Sequence, residues 1–100
     1  MTDKPRELCI PPAALDDQKS GEVLRAWIAK KGLHCALNVD VWDDLGNWGI
    51  MLADVARHVA NARHELDGAD PAETIRKIRA LFDAELDSPT DEPTGDFIEP

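Results

Sequence analysis

At 100 residues and 11.0 kDa the chain is one small domain, too short for an enzyme that houses cofactor and substrate in separate domains. Apolar residues make up 43% and charged residues 31%, with no run near the roughly 18 apolar residues that a membrane span needs, so a soluble chain is expected. The net charge of −9 disfavours a nucleic-acid partner, because a phosphate backbone is bound by displacing counterions with basic surface. Much of that charge is terminal: residues 87–100 carry five acids and no base, whereas residues 21–86 carry eleven acids and eight bases, a net −3. A body so near balance is a poor imitation of DNA. The first ten residues lack the apolar run of a secretory signal, which makes the cytoplasm the expected location. Cys9 and Cys35 lack the paired spacing of a zinc site and are expected as reduced thiols.

Residues 1–20 hold Pro5, Pro11 and Pro12 and read as an extended arm, with residues 7–10 a candidate third strand. Leu8, Ile10, Ala13, Ala14 and Leu15 suggest that the arm docks on the body. Alternation of Leu33, Cys35, Leu37 and Val39 with His34, Ala36 and Asn38 predicts a strand with one buried face. Val23, Leu24, Trp27 and Ile28 also suit a helix capped by Ser20 and closed by Gly32, but the later strand needs a hydrogen-bonding partner. Residues 23–29 are therefore expected to form a hairpin with it through Lys30, Lys31 and Gly32.

A long helix is expected from a cap at Asp43 or Asp44 to about Leu66. Trp48, Met51, Leu52, Val55, Val59, Ala62 and Leu66 fall within a stripe of roughly 100°, the width of a core-facing side. Gly49, Ala53, Ala56 and Ala60 form a second row of small side chains beside it. Gly68 suits the helix end, and Asp70, Pro71 and Glu73 suit a new start as cap, first and third helical residues. The second helix runs to about Leu86 with Ile75, Ile78, Phe82 and Leu86 on one face, and the short connection predicts antiparallel packing. The acidic, proline-rich segment 87–100 has the composition of a tail that does not order itself. The expected organisation is an arm over 1–20, a single domain over 21–86 and a tail over 87–100. Its fold class is α+β, a β-hairpin followed by two antiparallel helices.

Chemistry-bearing patterns are sparse. Ser20 and Ser88 stand in expected loops outside any nucleophile-elbow pattern, and His34 and Cys35, adjacent on a strand, point to opposite faces. His34, His58 and His64 show no metal-ligand spacing, and the scattered glycines form no phosphate loop. Asp54, His58, Asn61 and Glu65 align along one side of the long helix, a pattern that a solvated helix face explains and that also suits the rim of an interface. Trp27, Trp42 and Trp48 suit anchors at element junctions better than a stacking site.

Lys4-Pro-Arg-Glu-Leu, Glu22-Val-Leu-Arg-Ala-Trp-Ile, Lys31-Gly-Leu-His, the run from Trp48 through Ala62 and the run from Glu85 through Gly95 resemble a family of short alphaproteobacterial proteins classed as a domain of unknown function. The resemblance spans nearly the whole chain and implies a bacterial source and an α+β fold, with no activity or site residue attached. The expectation is a non-catalytic association module without a cofactor, a homodimer meeting on Gly49, Ala53, Ala56 and Ala60 and serving an unidentified protein partner. The alternative is a small-molecule or metal-binding protein that uses His34, Trp27 and the Asp54, His58, Asn61 and Glu65 row.

Overall fold

A computed structural model of the chain describes residues 5–90 and 94–97. The expected hairpin is present: β1 (Leu24–Ala29) pairs antiparallel with β2 (Gly32–Leu37), Leu24 opposite Leu37 and Ala29 opposite Gly32. This register puts Leu24, Ala26, Ile28, Leu33, Cys35 and Leu37 on one face, which is wholly apolar, and Arg25, Trp27, His34 and Ala36 on the other. Lys30 and Lys31 form the two-residue connection, with φ of 49° and 64°. A type I′ hairpin turn demands positive φ at both central residues, a conformation that costs a lysine about 1 kcal/mol or more.

The third strand is β3 (Thr94–Phe97), which runs parallel to β2 and gives the sheet order β1-β2-β3. Two expectations are corrected here. Residues 7–10 form no strand; the arm instead enters a one-turn helix, α1 (Pro12–Asp16), started by Pro12, and is tied to β1 by a Glu7–Arg25 ion pair of 2.8 Å. The acidic terminal segment is ordered over 94–97, because the free edge of β2 offers unpaired N–H and C=O groups that a backbone ladder satisfies whatever the side chains are. The remaining tail positions 91–93 and 98–100 lie outside the described residues.

Two helices form between β2 and β3: α2 (Asn47–Asp67) and α3 (Pro71–Asp87). Helix α2 starts later than expected. The Asp44 carboxylate accepts from the Gly46 N–H at 2.9 Å and its carbonyl from the Asn47 N–H at 3.0 Å, so Asp44 builds the turn before the helix instead of capping it. Gly68 ends α2 as expected, at φ 76° with its N–H bonded to the His64 carbonyl. Asp70 and Pro71 occupy the expected cap and first-turn positions, although Asp70 makes no side-chain cap bond and its carbonyl takes the Thr74 N–H and hydroxyl. On either side of the connection, Arg63 pairs with Asp67 within α2 and Arg76 with Glu73 within α3. The Arg63 guanidinium and the Ala69 N–H hold the Asp67 carboxyl below its usual range, and Arg76 does the same for Glu73.

The strands contact one another and α2 contacts α3, but among the described residues no helix rests on the sheet. Ala60, 2% exposed, is the one fully buried apolar side chain among them.

Two predictions follow from local geometry. Lys30→Asn with Lys31→Gly should relieve the left-handed turn and stabilise the protein by about 1–2 kcal/mol in denaturant titration; no gain would mean that the lysines are not strained. Carboxylates with lowered pKa contribute stability that is complete above their unfolded values near pH ~4 and lost as pH falls through the lowered ones. Arg63→Gln should therefore raise the Asp67 pKa in an NMR titration, and an unchanged value would remove the ion pair as its cause.

Candidate association surface

Helix α2 carries two lengthwise seams that are one residue out of step. The small row Gly49, Ala53, Ala56 and Ala60 is spaced 4, 3, 4, and the bulky row Trp48, Leu52, Val55, Val59, Ala62 and Leu66 is spaced 4, 3, 4, 3, 4. Rows of this spacing stay on one side of a helix and suit lengthwise contact with a second helix. Helix α3 takes the small row: Ala60 is buried, Ala56 half-buried, and Pro71, Thr74, Ile75 and Ile78 of α3 are half-buried with them. Short side chains on α2 let the two backbones approach closely. Toward the start of α2 and the end of α3 the contact opens, leaving Gly49, Ala53, Phe82 and Leu86 exposed.

The stripe expected to face a core is corrected by this arrangement. Leu52, Val55, Val59 and Leu66 are exposed, Leu66 to 81%, and only Trp48 and Met51 of the bulky side chains are half-buried. Trp48 meets the edge of Trp42 at 5.3 Å between ring centroids and 84° between planes, which pins the loop to the first turn of α2 without covering the stripe. Between the helices lies a groove of about 920 Å³, with Leu52, Val55 and Val59 of α2 and Ile75, Ile78 and Phe82 of α3 among its lining. The small row lines the same groove. The apolar sheet face is bare at the hairpin end, where Ile28 is 81% and Leu33 50% exposed.

The other sequence candidates are dispersed. Trp27 and His34 are direct cross-strand neighbours on the mixed face of the sheet, with the Arg25 guanidinium 5.8 Å from the Trp27 ring. Arg25 is also held by Glu22 and Glu7. Asp54, His58, Asn61 and Glu65 are all exposed on α2, and since no helix rests on the sheet, the row and the Trp27–His34 pair do not meet. No group of three or more His, Cys, Asp or Glu among the described residues is placed to hold a metal ion. No helix among them is long and apolar enough to cross a membrane. Asn38, just past β2, was not singled out by sequence: its Oδ1 is buried with no hydrogen-bond partner among the described residues, and nothing in the residue pattern marks such an atom.

The chain is similar over 93% of its length to 95% of a protein of known structure from the photosynthetic bacterium Rhodopseudomonas palustrus CGA009, described as "a putative pyruvate dehydrogenase", at 32% identity and a TM-score of 0.74. No curated protein matches the sequence. A family model covers residues 7–90, and the chain belongs to the family described as a domain of unknown function, DUF5076.

Proposed function

We propose that the protein is a non-catalytic association module whose working unit is a homodimer. The observation that carries this reading is the thin core among the described residues: one apolar side chain of theirs is buried, while an apolar helix seam and part of an apolar sheet face are open to water. An exposed apolar surface of this kind marks an interaction site, and hydrophobic burial is the main favourable term in folding, which supports a partner chain as a source of the burial that the described residues lack.

The description attached to the Rhodopseudomonas protein concerns that protein. Here the groups capable of acid-base or nucleophilic work are spread along the chain, with Cys9 in the arm, His34 and Cys35 adjacent on β2, and His58 and His64 on α2. That spread supports association over catalysis. The interface we propose is built on α2, with the exposed Gly49 and Ala53 end of the small row at its margin and with the pair presented to a further protein partner. Light scattering on the eluting peak at micromolar concentration should give twice the 11.0 kDa of one chain, and a single-chain mass would overturn the homodimer.

A further inference from the structure

We propose that the exposed seam of α2 is covered by α2 of a second copy, the two helices lying antiparallel about a dyad that passes between Val55 and Val59, level with position 57. The inference rests on the homodimer reading and names its contact. The repeat itself points to a helix: positions 48, 52, 55, 59, 62 and 66 alternate steps of 4 and 3, the spacing at which side chains interlock with a helix laid alongside. A strand face repeats every second residue and does not match it. The seam runs almost the full 21 residues of α2, roughly 32 Å at 1.5 Å per residue, so the occupant is a helix of similar length. Helix α3 is already committed to the small row, and α2 is the described helix that carries a free seam of this length.

Size and charge agree with a second copy. The chain exposes 9148 Å², whereas a compact protein of 11.0 kDa exposes about 5,600 Å². The difference, roughly 3,500 Å², includes the exposed arm residues 5–13 and 15–20 and still leaves room for the ~800 Å² per partner of a standard interface. Two whole chains of charge −9 would repel, but α2 carries Asp54, Glu65 and Asp67 against Arg57 and Arg63, a net −1, so the helices meet at little electrostatic cost.

Antiparallel order sets the positive end of each helix dipole beside the negative end of the other. It also sets apolar residues opposite one another across the dyad. Val55 falls opposite the second copy's Val59, Leu52 opposite its Ala62 and Trp48 opposite its Leu66, so every facing pair along the contact is apolar. The groove lined by Leu52, Val55, Val59, Ile78 and Phe82 receives the flank of the second helix, completing a four-helix layer from two α2–α3 pairs.

Disulfide trapping tests the register. In a background of Cys9→Ser and Cys35→Ala, chains carrying Val55→Cys and chains carrying Val59→Cys are purified separately, mixed, re-equilibrated and oxidised. The expected result is a covalent dimer joining the two kinds of chain, with little from either variant alone and none from Glu65→Cys, which lies eight residues along the helix from the dyad, because a bridge requires Cα atoms about 4.4–6.8 Å apart. Trapping by Val55→Cys alone would show parallel helices and overturn the arrangement. A doubled mass with no trapping at either position would place the interface elsewhere, overturning this inference while sparing the homodimer. A single-chain mass would overturn both.

Discussion

Side-chain size along α2 governs how the described elements assemble. Its two seams differ by one residue in phase and by the bulk of what they carry, and each has the spacing to pack a helix. The connection from Gly68 through Asp70 is too short to let α3 travel, so α3 must return along a face adjacent to α2's own end. It settles on Ala56 and Ala60, where short side chains permit close contact, and its own Ile75 and Ile78 supply the apolar bulk. The larger side chains, Leu52, Val55, Val59 and Leu66, are thereby left outside the pair. A helix pair that buries one alanine completely has gained little of the burial that offsets its conformational entropy, which is lost at about 1–2 kcal/mol per residue.

The sheet has a similar imbalance. Its apolar face gathers Leu24, Ala26, Ile28, Leu33, Cys35 and Leu37, yet no helix lies on it. Its mixed face is steadied by Glu7 and Glu22 on Arg25, an exposed network worth little in water. Capture of residues 94–97 closes one edge of β2 and draws the C-terminal segment into the fold, returning the chain beside β2 after two helices. Among the described residues, sheet and helix pair are thus each internally bonded and each short of a covering layer.

Much of this architecture was legible in residue pattern. Alternation from Leu33 to Leu37, with the demand that a strand have a partner, was enough for the hairpin, and Gly68, Asp70 and Pro71 marked the break between the helices. The two α2 rows and the exposed character of the Asp54, His58, Asn61 and Glu65 face were also readable. What periodicity does not carry is identity of the neighbour. A stripe of leucines and valines states that a face is apolar, while the element that covers it is decided by loop length and competition with the adjacent row. β3 escaped notice for a related reason: its pairing rests on backbone groups of β2, and the acidic, proline-rich side chains around it record none of that. The start of α2 was misplaced because Asp44 bonds equally well within a turn and at a helix cap.

The central claim is that one chain folds by joining another. For a protein whose folded state is a dimer, mass action makes the melting temperature depend on protein concentration, because unfolding releases two chains from one assembly. Thermal denaturation followed by circular dichroism across a hundredfold range of concentration, from low micromolar upward, reads this directly. A melting temperature that climbs steadily with concentration is the predicted result, and one that stays constant over the whole range would contradict the account.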